Sequence, residues 1–214
     1  MAAASQIKPG IKDVLLVVDV QNDFCPGGRL AVPKGDEVVP IVNELAKRFE
    51  NVVLTQDWHP PGNQSFATAH PGSRPFDSIK LAYGEQVLWP DHCVQGSEGA
   101  SLHKDLAVHQ AQLVVRKGWR KEVDSYSAFL EADRKSRTGL EGYLDERGVK
   151  RVFVCGLATD FCVAWTALDA RKLKFESVVI ENACRAIYMQ GSLAAAWEKM
   201  AKAGVKRIGT VDIV

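Results

Sequence analysis

The sequence predicts an α/β fold, a three-layer α/β/α sandwich around a central, mostly parallel six-stranded sheet. Three observations predict it. Short runs of Val, Ile and Leu recur without the polar alternation of a half-exposed strand, as strands covered on both faces require. Helix-length amphipathic segments separate most of these runs, and such alternation implies parallel strands joined by right-handed crossovers. The length of 214 residues suits a single domain with a substantial core, residues 1–214.

Each element has its own signal. "MAAASQIKPG" lacks the charged start and apolar stretch of a secretory leader, so residues 1–12 read as a loose N-terminal tail. "DVLLVVDV" (13–20) reads as the first strand, and its apolar run is too short to span a bilayer. "DEVVPIVNELAKRF" (36–49) reads as a helix with Asp36 as N-cap. "NVVLTQD" (51–57) is the second strand. From 58 to about 111 the chain shows no clear secondary structure, and a loop of that length is uncommon and usually functional. "QLVVRKG" (112–118) is the third strand; "TGLEGYLDERG" (138–148) is a helix capped by Thr138 and stopped by Gly148. "RVFVCG" (151–156) is the fourth strand and "TDFCVAWTALDARKL" (159–173) its helix. "FESVVIEN" (175–182), "SLAAAWEKMAKAG" (192–204) and "VKRIGTVDIV" (205–214) complete the pattern as strand, helix and strand.

Composition excludes several function classes. A formal net charge of +1 provides no global field for nucleic acid or an anionic membrane. The short basic cluster Arg134, Lys135 and Arg137 reads as a solvated loop. The 5 cysteines include no C-x-x-C pair and no zinc-finger spacing. A reduced, cytoplasmic setting is expected. Monomer and homo-oligomer both remain open.

The chemistry-bearing residues fall at strand ends, where open parallel sheets bind ligands. Asp19 closes the first strand, Asp57 the second and Lys117 the third; Cys162 lies just beyond the fourth. With Thr159 or Asp160 as N-cap, Cys162 sits in the first turn of a helix. There the helix dipole can bring a thiol pKa down to roughly 3.5–7.5. Cys162 is then either a nucleophile or a packed core cysteine; Cys155, inside a strand, reads as packing. Asp19 is either a turn residue or a base for the thiol, and Lys117 either a surface lysine or the cation beside it. In "TQDWHPP" Asp57 and His59 share one face of an extended chain, a two-point clamp for a divalent ion. His70, Asp91 and His92 are available as a third ligand; His103 and His109 lie in the same long segment. Imidazole and carboxylate together suit Zn²⁺, Fe²⁺ or Mn²⁺. Phe24, Trp58, Trp89 and Tyr126 lie in loops near these groups and suit a flat apolar substrate.

"VVDVQNDFCPGGRLAV", "TQDWHPPGNQSFATAHPG", "LWPDHCVQGSEGA", "VRKGWRKEVDSYSAF" and "CGLATDFCVAWTALDA" together resemble the nicotinamidases, a family of isochorismatase-like cysteine hydrolases. The resemblance runs from about residue 13 to 214. It implies a triad of Asp19, Lys117 and Cys162; metal ligands Asp57, His59 and His92; and ring-binding Phe24 and Trp89 with Tyr126 nearby. It also implies a cis peptide between Leu157 and Ala158 and an oxyanion hole from the N–H groups of Ala158 and Cys162. Some relatives have a further histidine ligand where this chain has Ser65, which is expected to reach the metal through water. The implied reaction is hydrolysis of nicotinamide to nicotinate and ammonia through a cysteine thioester, with one divalent metal orienting the ring, in pyridine-nucleotide salvage. Other readings are an amidohydrolase for a different small amide, a non-catalytic binding module on the same scaffold, and a redox protein, against which stands the absence of a resolving cysteine spacing.

Overall fold

The computed structural model describes residues 6–214. Six strands form one parallel sheet: β1 (Asp13–Val18), β2 (Asn51–Asp57), β5 (Leu113–Lys117), β6 (Arg151–Leu157), β7 (Glu176–Arg185) and β8 (Lys206–Ile208). Between β2 and β5 lies a separate antiparallel hairpin, β3 (Ser78–Leu81) and β4 (Gly84–Val87). The helices are α1 (Val38–Ala46), α2 (Leu140–Glu146), α3 (Ala164–Lys172) and α4 (Ser192–Lys202). Every residue of β1 and β2 is buried, so their apolar runs are covered on both faces, as the three-layer arrangement requires.

The sheet order is β5-β2-β1-β6-β7-β8. The chain starts in the middle, builds outward through β2 and β5, then crosses back to lay β6 on the other side of β1. The order therefore reverses between β1 and β6, and a crevice opens there at the carboxyl ends. Val17 pairs with Leu54 of β2 and with Cys155 of β6, which brings the ends of all three strands level. At the opposite end, Arg151 grips Asp13 with two hydrogen bonds of 2.8 Å, a bidentate clip that fixes the β1–β6 register.

Several boundaries differ from expectation. The first strand stops at Val18 because Asp19 takes a left-handed backbone (φ 47°) and leaves the ladder. Asp36 caps nothing: a 3₁₀ turn at Gly35–Glu37 precedes α1, whose N-cap is Glu37. Thr138 falls one residue short of the cap, which is Gly139, although its Oγ1 accepts from Leu140 N–H at 3.2 Å; Gly148 follows the helix end at φ +67°. The last strand is only β8; beyond it Gly209 N–H donates to Asp212 Oδ2 (2.8 Å) and closes a 3₁₀ turn over Thr210–Asp212. The expected tail over 1–12 falls partly outside the described residues. Within them, Ile7 pairs with Ile213 and accepts from Val214 N–H at 3.0 Å. The long segment, expected without secondary structure, contains the β3–β4 hairpin and a 3₁₀ turn at Ala67–Ala69. Among the described residues no helix is long and apolar enough to cross a membrane.

Candidate active site

Four strand ends deliver four side chains to the crevice. Asp19 follows β1 and is completely buried. Its N–H donates to Thr55 Oγ1 (3.1 Å), whose hydroxyl donates back to Asp19 Oδ1 (2.5 Å). The carboxylate is thus pinned through one oxygen. The other, Oδ2, lies 2.8 Å from Lys117 Nζ as an ion pair but accepts no aligned hydrogen bond. Lys117 closes β5, two strands from β1, and is also fully buried. Its ammonium donates to Asp57 Oδ1, to Ser125 O at 3.1 Å and to Cys162 Sγ at 3.5 Å. Burial alone would lower the pKa of Lys117, but the carboxylates of Asp19 and Asp57 raise it well above the ordinary lysine value. It stays charged because it is paired.

Cys162 lies on the cavity wall, 6% exposed. Neither Thr159 nor Asp160 caps its helix. The N-cap is Ala158, and the first turn, Thr159–Val163, is π-helical before α3 begins. The Asp160 carboxylate is turned away, accepting from Ile187 N–H (3.0 Å), Tyr188 N–H (2.9 Å) and Ser192 Oγ–H (2.5 Å). The expected low thiol pKa is overturned. Burial pushes it well above 9, Lys117 opposes, and the nearby carboxylates of Asp19 and Asp57 push it further up. Desolvation outweighs the helix terminus, so the resting sulfur carries its proton. Burial also raises Asp19, against the pull of Lys117. Cys155 is fully buried within β6, as packing predicts. The Leu157–Ala158 peptide is cis, and Ala158 lines the cavity beside Cys162.

The histidines stand on the far side of Asp57. His59 Nε2 is 3.7 Å and His92 Nε2 3.9 Å from Asp57 Oδ2. Their other nitrogens face backbone carbonyls: His59 Nδ1 to Gly118 O at 3.0 Å, His92 Nδ1 to Pro90 O at 2.8 Å. A nitrogen against a carbonyl carries a proton, so in its neutral, metal-binding form each ring turns its Nε2 lone pair toward Asp57. With no ion bound, burial would lower the pKa of His59, but Asp57 and Asp124 raise it. The Asp57–His separations are too long for hydrogen bonds. They match the scale of atoms sharing one ion at about 2.0–2.2 Å each. His59 Nε2 is buried with no hydrogen-bond partner, and Asp57, His59 and His92 each offer a ligand atom within 4.8 Å of the others. The donor set therefore fits a divalent ion. Burial would raise Asp57, but Lys117 and His59 hold its carboxyl well below the usual range. Burial and the charge of His59 bring His92 down to about 4. Gly118 makes room for this: a Cβ there would lie 2.4 Å from the His59 ring, and φ is +66°.

The other candidate ligands stay outside. His70 Nε2 faces Gln64 O (2.8 Å), Asp91 accepts from Thr68 (2.5 Å), His103 accepts from Asp105 N–H (3.2 Å) and His109 is exposed. Ser65 is fully buried, and its Oγ has no hydrogen-bond partner. Phe24, Trp89 and Tyr126 all line one narrow cavity with Asp57, His92 and Cys162. Trp58 does not; it lies beneath the Arg116 guanidinium, 3.8 Å from the ring centroid.

Asp124, Phe161 and Ile187 also line the cavity and were missed from the sequence. Phe161 meets Trp89 edge-on, centroids 5.0 Å apart at 87°; its place just before Cys162 was the signal. Asp124 Oδ1 comes within 3.9 Å of His59 Nε2, carried there by a loop whose path no local pattern announces.

The isochorismatase domain model matches residues 13–212. A nicotinamidase of Acinetobacter baylyi is 56% identical over 200 residues, covering 94% of each chain. A solved Acinetobacter baumanii nicotinamidase/pyrazinamidase superposes with a TM-score of 0.94 at 57% identity, covering 95% of this chain and 98% of the other. A solved L. infantum protein in complex with nicotinate gives a TM-score of 0.86 at 38% identity, covering 98% of each chain. The chain belongs to the isochorismatase domain family, and within it resembles the nicotinamidases.

Proposed function

We propose that the chain hydrolyses nicotinamide to nicotinate and ammonia through a thioester on Cys162, with Asp19 and Lys117 completing the machinery. One observation carries the reading: the Lys117 ammonium contacts Asp19, Asp57 and Cys162 together on the wall of an aromatic cavity. The relatives named above, one of them solved with nicotinate, support the substrate.

The chemistry follows from the site's charges. A buried thiol holding its proton is a poor nucleophile, so that proton must leave as sulfur attacks the amide carbon. Asp19 Oδ2 is the acceptor, being the carboxylate oxygen with no aligned hydrogen bond. The raised pKa of Asp19 makes it a stronger base and later a competent acid, returning the proton to the departing ammonia. Lys117, 3.5 Å from sulfur, stabilises the developing thiolate. The N–H groups of Ala158 and Cys162 hold the tetrahedral oxyanion; losing one such donor typically lowers the rate about 10²–10³-fold. Water then cleaves the thioester to nicotinate. Phe24 and Trp89 flank the ring, with Tyr126 beside Trp89. Asp57, His59 and His92 would hold a divalent ion, with Ser65 reaching it through water. When bound, that ion supplies a Lewis-acid site for the pyridine nitrogen, which orients the ring. Five free, buried cysteines are consistent with a reduced, cytoplasmic setting, and the proposed reaction would serve pyridine-nucleotide salvage.

Ammonia release from nicotinamide by the purified, metal-loaded protein tests this. Activity is expected to fall by about four orders of magnitude or more in Cys162→Ala. Turnover unchanged in that variant rejects the assignment.

A further inference from the structure

Of the eight strand residues in the β3–β4 hairpin, Gln86 alone is buried, 1% exposed. A two-stranded hairpin is marginal by itself, and a buried amide is costly unless bonded. The Gln86 bonds lead into the site. Its Oε1 accepts from Tyr83 O–H at 2.9 Å. Its Nε2 lies 2.6 Å from Val87 O, 2.7 Å from Asp124 Oδ2 and 3.0 Å from Tyr126 Oη. Tyr126 Oη accepts in turn from Trp89 Nε1–H at 3.0 Å. One amide thus ties together Asp124, Tyr126 and, through Tyr126, Trp89, all of which line the cavity. Gln86 itself does not line it.

A second observation points the same way. Phe76, at the foot of the hairpin, is 49% exposed and held at φ +75°, a backbone conformation that bulky residues rarely adopt. Its N–H donates to Leu88 O at 2.5 Å, and its ring meets Trp89 edge-on, centroids 6.0 Å apart at 89°. Two contacts from around the hairpin therefore bear on Trp89, an apolar ring edge from Phe76 and a hydrogen-bonded chain that runs from Gln86 through Tyr126.

We infer that Gln86 is a positioning residue for the amide-hydrolysing site: it holds the Trp89–Tyr126 wall at the separation that accepts a flat aromatic ring, and so sets affinity for the ring without taking part in bond-making. The inference rests on the nicotinamide reading. A residue of this kind stabilises ground state and transition state alike, so its loss raises KM and leaves kcat nearly unchanged. A residue needed only for folding lowers the active fraction, and hence kcat, at constant KM.

The test compares the wild type with Gln86→Met, which keeps the volume and removes the hydrogen bonds. Tyr83→Phe serves as a milder variant, removing only the bond to Gln86 Oε1 and the weak 3.4 Å contact to Asp124 N–H. Nicotinamide kinetics and nicotinamide binding by tryptophan fluorescence are measured on metal-loaded protein. Expected are a rise in KM and Kd of about tenfold in Gln86→Met, the scale of losing the two bonds that reach cavity-lining residues, Asp124 and Tyr126, a smaller rise in Tyr83→Phe, and kcat within about twofold of wild type in both. Should Gln86→Met fail to fold, Tyr83→Phe decides. Wild-type KM in the folded variants, or a fall in kcat at constant KM, overturns the positioning role and leaves the proposed reaction standing. A wild type that neither turns over nor binds nicotinamide overturns both.

Discussion

Lys117 is a lysine with no access to water, and removing it tests stability as well as catalysis. Its partners Asp19 and Asp57 are buried carboxylates. Removing one member of a buried ion cluster leaves the remaining charges uncompensated, at about 3–5 kcal/mol. Lys117→Met is therefore expected to lose activity and that much stability in urea unfolding. Cys162→Ala, which takes away only a weak sulfur contact, is expected to lose activity with little change in stability. Equal unfolding midpoints for Lys117→Met and wild type would show that the ammonium does not pair as described. Glu131 offers a pH-dependent counterpart. Buried beside Gly118, it has its pKa raised by desolvation from 4.5 to about 7, although Gly118 N–H and Ser125 pull it down. The folded protein therefore keeps a proton that the unfolded chain releases. This group's contribution is fully present below about pH 4.5, declines as pH rises, and is gone above about pH 7. Glu131→Gln is expected to remove that decline, worth up to roughly 3 kcal/mol. Urea midpoints at pH 5 and pH 8 for both proteins measure it, and parallel pH dependences would refute it.

Strands β1, β2, β5 and β6 do for the site what no single residue could, because each ends in a reactive group or leads straight into one. Gly156 shows how tightly two of them must meet. At φ +111°, its notional Cβ would lie 2.2 Å from Val18 O on β1. Gly156→Ala is expected to cost at least about 2 kcal/mol through backbone strain and clash. It should also lower kcat, since spreading β1 from β6 parts Asp19 from Cys162. Gly142→Ala, in α2 with nothing within 4 Å, is the control and should be neutral or slightly stabilising. If thermal melts do not separate the two variants, the close approach is not as described. The apolar runs that announced these strands were legible because two-sided burial admits few other residues. Asp19, Asp57 and Lys117 were legible because charge at the end of such a run needs a reason. The hairpin was less so: Ile79 and Leu81 alternate with polar neighbours, but that signal is short and sits in a segment dense with Gly and Pro. The π-helical turn at Thr159–Val163 has no sequence signature. Asp124 was hidden because a tertiary hydrogen bond from Gln86 holds it near His59, which no local pattern encodes.

Over the whole molecule, the topology concentrates buried charge at one point, and stability should register what occupies it. Asp57 is pulled from one side by Lys117 and faced from the other by His59 and His92. Nε2 of each imidazole faces Asp57, and that of His59 is buried without a hydrogen-bond partner among the described residues. Such a site is assembled by folding and does not persist in the unfolded chain, so an ion that binds it stabilises the native state by mass action. At a free ion concentration of 100 times the dissociation constant the gain is about 2.7 kcal/mol. For a chain of 214 residues this corresponds to a rise in melting temperature of roughly 5–10 °C. Chelation is expected to lower the midpoint by that amount, and re-addition of Zn²⁺, Fe²⁺ or Mn²⁺ to restore it, with the most effective ion identifying the preferred metal. In His92→Ala one of the three proposed ligands is gone while Asp19, Lys117 and Cys162 are untouched, so the melt should become nearly insensitive to both chelator and metal. A metal-dependent shift as large in His92→Ala as in wild type would place the binding elsewhere on the molecule, and the convergence of Asp57, His59 and His92, with His59 Nε2 buried and unbonded, would then require another explanation.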